Sequence, residues 1–289
     1  MSSINDIKSR IKNIEQTKKI TKAMHLIASI KLTKAKKEHN ETKEFFDKIR
    51  ATLYDIIDRS DELNSIYIDN GLTSNVKKSA YLVLTGDNGL AGDYNYNTIK
   101  AVGKYVIDKE NSILMIAGYM GKSVIRKNKY NIDETFDYFV HNPTLSRAKD
   151  MTNKFIDMYS KGEIDEFYVI YTDMITSLKH ETKLTKILPL NIDSLKEDTK
   201  INYKSHENDQ MIYEPSFTDV FNSIIPLYLK GVIYSLLVDA YASEQSSRVV
   251  AMDSATRNAK NIIKKLKIYY NKERQSKITT ELNEIISRN

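Results

Sequence analysis

Residues 4–24, INDIKSRIKNIEQTKKITKAM, decide how this chain folds. Ile4, Ile7, Ile11 and Ile14 recur at spacings of three, four and three, which places them on one face of an α-helix. Met24, Ile27 and Leu32 carry the apolar pattern on, and no Pro or Gly occurs before Gly71. The spacing predicts one helix over Ser3–Asp58, ~80 Å long at 1.5 Å per residue. A globular core does not accommodate a helix of that length alone, so it requires a helical partner. The last segment supplies one. From Asp219 to Ser287 only Pro226 and Gly231 interrupt a helical pattern that closes on Ile278, Leu282 and Ile285; its length would be ~100 Å. Small residues along its middle, among them Ala240, Ala242, Ser243, Ser246, Ser247 and Ala251, let another backbone approach closely. The two ends are therefore expected to pair as a long antiparallel coiled coil of N- and C-terminal helices.

Between them the apolar period shortens. Ala80–Thr85, Ser112–Ala117, Glu166–Thr172 and Leu184–Leu190 are short β-prone runs, with helical stretches near Tyr94–Lys109 and Arg147–Lys161. Continuous apolar strands alternating with helices predict a central Rossmann-like α/β domain whose mostly parallel sheet is covered on both faces. Asp193–Asp209 is polar and reads as a linker or loop. The expected domains are residues 1–60 and 210–289 for the two coiled-coil helices and 75–195 for the α/β domain.

The charge is distributed unevenly. The whole chain carries a formal +6, yet residues 1–40 hold ten basic and three acidic side chains, and Ala255–Lys277 eight basic and one acidic. Each of those segments is thus +7, leaving all other residues at −8, so both terminal helices are suited to meet an acidic surface. There is no cysteine, which excludes disulfides, thiolate metal sites and a cysteine nucleophile. The amino-terminal MSSINDIKSRIKNI has no apolar stretch of signal-peptide length. The most apolar run, Ile224–Ala242, is broken by Pro226, Lys230 and Asp239, so no transmembrane helix is expected and any membrane role would be peripheral.

Two segments imitate ligand loops. Gly118-Tyr-Met-Gly121-Lys122-Ser123 follows a strand, but Ile116 stands where a phosphate-binding loop needs its first glycine. Gly86, Gly89 and Gly92 are each three apart, not in the G-x-G-x-x-G spacing that brings a backbone against a pyrophosphate, and Asn88-Gly89 is a favoured turn pair. His25, His39, His141, His180 and His206 lie far apart in sequence, none with a second ligand at metal-motif spacing. No catalytic residue, cofactor or metal site is expected, nor a small-molecule substrate.

Ile20-Thr21-Lys22-Ala23-Met24, followed by Ala28 and Lys31, resembles the opening signature of the gamma subunit of F-type rotary ATP synthases. The carboxyl half carries the same resemblance in order: Glu214-Pro215, Ser243-Glu244-Gln245, Arg248, Ala251-Met252, Ala255-Thr256, Asn258-Ala259, and Tyr270-Asn271-Lys272-x-Arg274-Gln275-x-x-Ile278-Thr279-x-Glu281-Leu282-x-Glu284-Ile285. The turn GDNGLAGDYN is similar to the family's GDRGLCGGLN. This resemblance implies a non-catalytic shaft at the cytoplasmic face of a bacterial membrane. Its partners would be three alpha and three beta subunits, an epsilon subunit and the membrane c-ring, with rotation coupling ion translocation to ATP synthesis or hydrolysis. Matched to the family motif, Met24, Arg248, Arg274, Gln275, Thr279 and Glu284 would contact the catalytic head, and Tyr213 and Glu214 the membrane rotor. Departures are Asn88, Ala91 and Asp93 in the glycine turn, Met211 in place of an aromatic residue, and Arg288 where the family tail is small and apolar.

Two other readings compete with this one. A paralogous rotary ATPase coupled to other machinery would use the same shaft. A basic coiled-coil protein binding nucleic acid through its phosphates would show steeply salt-dependent DNA affinity.

Overall fold

The computed structural model describes residues 4–60, 64–68, 77–176, 179–191 and 214–287. The chain divides into two compact units, one of Met1–Ile30 with Arg248–Asn289, the other of Lys31–Ser247. Helix α1 spans Ile4–Arg59 and the last helix, α5, Phe217–Ile286, so each contributes to both units. Between them lie β1 (Ser79–Leu84), α2 (Tyr94–Tyr105), β2 (Ser112–Ala117), α3 (Tyr119–Ile125), α4 (Leu145–Ser160), β3 (Glu166–Met174) and β4 (His180–Leu188).

The larger unit is built on a four-stranded sheet in the order β2-β1-β3-β4. Val83 of β1 sits opposite Ile116 and Ile170 in parallel pairings, and β3 pairs with β4 antiparallel, which gives the mostly parallel sheet expected from the strand composition. Alternation along β1 sends its side chains to two cores. Ala80, Leu82 and Leu84 join Met115, Phe167 and Val169 on one face, beneath Met151 and Phe155 of α4, Leu53 and Ile56 of α1, and Ile225, Leu229, Ile233 and Leu237 of α5. The Phe155 and Phe167 rings stack there with centroids 4.0 Å apart. On the other face Val83, Leu114, Ile116 and Ile170 pack against Ala101 and Val102 of α2 and Ile125 of α3.

Pro226 and Gly231, the two interruptions of the helical pattern, both lie inside α5. An interior proline costs ~3 kcal/mol. Phe221, Ile225, Leu229 and Ile233 are fully buried around it and contribute ~1.5–3 kcal/mol each, so burial outweighs the lost hydrogen bond. Gly231 is required by packing: a Cβ there would lie 2.1 Å from Cδ1 of Phe46 on α1. The same helix contains an 18-residue window of mean hydropathy 1.5, long and apolar enough to cross a membrane, of which 44% is buried within the fold. Strand β4 starts at His180, four residues before the apolar run that marked it, because Thr182 and Lys183 extend the ladder with β3. The polar stretch Asp193–Asp209 lies outside the described residues.

Candidate functional site

In the smaller unit the two helices run in opposite directions. Glu15 stands 3.8 Å from Lys267, and Thr21 Oγ1 is 2.8 Å from Thr256 Oγ1, so partners fall along α5 as they rise along α1. The seam consists of Ile7, Ala28, Met252, Ala259 and Ile263, all buried. Thr21 is the polar member of the ITKAM run and is only 8% exposed. Between the two threonines one hydroxyl donates to the other, and the one that accepts is free to donate to its own helix, Thr21 to Lys18 O at 3.1 Å or Thr256 to Met252 O at 2.7 Å. Two small hydroxyls beside Ala28 and Ala259 allow close approach, and a register slip would forfeit the hydrogen bond between them. The basic residues Lys19, Lys22, Lys260, Lys264 and Lys265 face outward, and Lys18 is half-buried. In the larger unit the order of pairing is the same, with His39 Nδ1 3.5 Å from Asp239.

Six residues were expected to meet the catalytic head. Met24 and Arg248 are half-buried, so part of each is spent on packing within the unit; Arg274, Gln275, Thr279 and Glu284 are fully accessible on α5. Arg248 and Arg274 are ~39 Å apart along the helix, two separate contact points. Around the distal end, Gln275 and Thr279 are one turn apart and joined by the Thr279 hydroxyl donating to Gln275 O at 3.0 Å. Ile278, Leu282, Ile285 and Ile286, from 47% to 72% exposed, fall between Arg274 on one margin and Thr279 on the other, forming an apolar stripe bordered by polar groups. Glu284 does not join them, being about 180° around the helix from Gln275. Of the residues expected at the membrane rotor, Tyr213 lies outside the described residues and Glu214 is exposed immediately before α5.

The two glycine loops have other uses. Gly118 has φ +94°, and a Cβ there would lie 2.1 Å from Thr85 O; one on Gly121 would meet the Thr85 side chain at 2.5 Å. The Thr85 hydroxyl accepts from Gly121 N at 3.1 Å and donates to Ala117 O at 3.0 Å. The imitation of a phosphate loop is thus a close crossing of β2–α3 over the end of β1. Asp87 in the other loop is a residue that sequence spacing did not single out. Its Oδ2 accepts from Val140 N, His141 N and His141 Nδ1 at 3.0, 2.8 and 2.8 Å. Among the described residues no three His, Cys, Asp or Glu side chains gather as metal ligands. Burial pushes the His180 pKa down, against the opposing field of Asp93.

The sequence profile of the family described as ATP synthase matches residues 3–288. The ATP synthase gamma chain of Ruminiclostridium cellulolyticum is 43% identical over 286 residues, covering 99% of this chain and 97% of the relative. The ATP synthase gamma chain, sodium ion specific, of Acetobacterium woodii is 34% identical, covering 98% and 97%. Among solved structures, a chain of the Euglena gracilis mitochondrial ATP synthase, OSCP/F1/c-ring, superposes with a TM-score of 0.65 at 14% identity over 98% of this chain and 92% of that one. A chain of the Tetrahymena thermophila mitochondrial ATP synthase central stalk/c-ring gives 0.57 at 21% identity over 82% and 99%. Likeness at such identities speaks for the fold, and the gamma-chain relatives speak for the lineage. A nucleic-acid-binding coiled coil accounts for neither. The seam with its Thr21–Thr256 pair, the lysine-clad helices and the end-to-end match lead to one conclusion: the chain belongs to the ATP synthase family, as a gamma chain, the central-stalk subunit of F-type ATP synthase.

Proposed function

We propose that this chain is the non-catalytic axle of a head of three alpha and three beta subunits. An epsilon subunit and a membrane c-ring complete the rotor, at the cytoplasmic face of a bacterial membrane. Its membership of a membrane-associated ATP synthase complex follows from the family; the stoichiometry and the individual contacts are the reading offered here. The observation that carries it is the distal end of α5, an accessible apolar stripe edged by Arg274 and Thr279, with Gln275 in line with it one turn before Thr279. A soluble helix does not present four accessible isoleucine and leucine side chains in register without a surface to turn against. Arg274 adds a planar fork of donors suited to carboxylates. Met24 and Arg248 form the second, more proximal contact. Glu284, on the opposite side of the helix, would face a different subunit of the surrounding ring at any one rotational angle.

The mechanism follows from asymmetry. Each orientation of an uneven surface stabilises a different conformation in each catalytic subunit, so rotation becomes a sequence of shifts in nucleotide affinity. Bond making and breaking would take place on the surrounding subunits, while Glu214 and Tyr213 meet the membrane rotor. The test is Arg274→Ala with Gln275→Ala in the assembled complex. ATP turnover coupled to ion translocation is expected to fall about tenfold, the equivalent of losing one charge-assisted hydrogen bond in the transition between states. Unchanged turnover in both directions, or recovery of the chain from native membranes without alpha and beta subunits, would overturn the assignment.

A further inference from the structure

Strand β1 is flanked by β2 on one side and β3 on the other, so the connections leaving the carboxyl ends of the strands diverge beside it. In doubly wound sheets that divergence opens a crevice, and glycine turns there receive phosphates and other anions. Here the turn begins at Gly86, two residues past the end of β1, and passes through Leu90 at φ +62° and Gly92 at φ +60° before α2 starts at Tyr94. The crevice is occupied by the chain itself. Glu244 of α5 is 3% exposed, between Ser243 at 0% and Gln245 at 3%. A Cβ on Gly86 would lie 2.9 Å from its Oε1 and 3.1 Å from Asn95 Oδ1, the atom that accepts from Gly86 N at 2.7 Å.

We propose that the Glu244 carboxylate is a built-in anion, seated at the switch point where related sheets take a free one, and that it fastens α5 to the glycine turn so that helix and sheet move as one body. Gly86 has no side chain because the carboxylate fills that space. A buried carboxylate on a helix is costly unless it is matched by donors, and a glycine turn at the end of a parallel strand is a place rich in them. Glu244 touches no reacting group; it is a positioning residue, and the part of the proposal that concerns torque rests on the axle reading above.

If the site is an anion seat, emptying it should leave a vacancy that small oxyanions refill. In the full chain, Glu244→Ala is expected to lower the melting temperature by about 5–10 °C, as expected for breaking a buried charged contact. Sodium formate or inorganic phosphate at millimolar concentration should restore at least half of that loss, and sodium chloride at equal ionic strength should restore none. A melting temperature equal to that of the parent chain, or equal effects of formate and chloride, would overturn the proposal. Gly86→Ala is a milder probe of the same contact. Its cost should shrink in the Glu244→Ala background, where the added methyl has room; equal costs in both backgrounds would also overturn it. In the assembled complex, Glu244→Ala should lower the number of ions pumped per ATP hydrolysed. A preserved pumping ratio together with formate rescue leaves the anion seat standing and counts against the axle reading.

Discussion

Thr85 shows how much one side chain organises. Its hydroxyl bridges Gly121 N and Ala117 O, and Gly118 and Gly121, which follow β2, leave room for that crossing. Gly118→Ala combines a left-handed φ with a collision against backbone oxygen. It should destabilise the chain by about 2–4 kcal/mol, read as a fall in the denaturant midpoint. Glu166 makes a different kind of prediction. Burial raises its pKa, but donation from Lys77, Tyr168 and Lys186 outweighs this and holds it below the usual carboxylate range. A carboxylate depressed in the folded state stabilises above its unfolded pKa and loses that contribution as pH falls through its native value. Glu166→Gln should therefore lose stability at neutral pH and show a shallower acid limb, measured by thermal melts from neutral pH downward. Neither Thr85 nor Glu166 was legible in the sequence, since Thr85 acts through partners more than thirty residues away and Glu166 gathers Lys77 and Lys186 from two other segments. Lys122-Ser123 after a glycine was legible but misleading, because the residue that explains the loop is on another strand.

At the scale of elements the sequence was most informative where one period persisted. Helix α1 was expected over Ser3–Asp58 and runs Ile4–Arg59, since nothing in it competes with the 3.6-residue pattern. In α5 two local signals, Pro226 and Gly231, argued for breaks, and tertiary burial overrode both. Short strands were found to within a few residues, whereas α3, a seven-residue helix, carries too few apolar positions to announce itself. The antiparallel direction of β4 had no signal in its composition; pairing with β3 decides it. Gly231 offers the sharpest test of helix packing. Gly231→Ala would gain up to about 1 kcal/mol of helix propensity in isolation, yet the Phe46 ring should make it net destabilising by about 1–3 kcal/mol. Trimming that ring, as Phe46→Leu, should recover part of the loss in a double-mutant cycle followed by chemical denaturation.

At the scale of the molecule, the distal part of the proposed head contact and the stabilising core separate along α5. Buried positions dominate through Ser247, while Arg274 onward is accessible throughout. Deleting residues 280–289 should leave the melting temperature within about 4 °C, because little packing is removed. In the complex the same deletion should impair ATP synthesis through loss of the apolar stripe. Motif order in sequence pointed to this end of the helix; it did not reveal that Glu284 stands apart from its neighbours, which only the angular bookkeeping of a helix discloses.

Thr21 finds Thr256 across 235 positions of sequence, and that separation has a consequence for biosynthesis. At roughly 5–20 residues per second, a ribosome needs roughly ten to forty seconds to reach Arg248 after finishing Ile30. Throughout that interval the α1 side of the seam, Ile7 and Ala28, lacks Met252, Ala259 and Ile263 to lie against. Ten lysines and arginines within its first forty residues keep the waiting segment dispersed in water by mutual repulsion. The same charge, ten basic side chains against three acidic ones, is thus in place as a solubilising coat during translation.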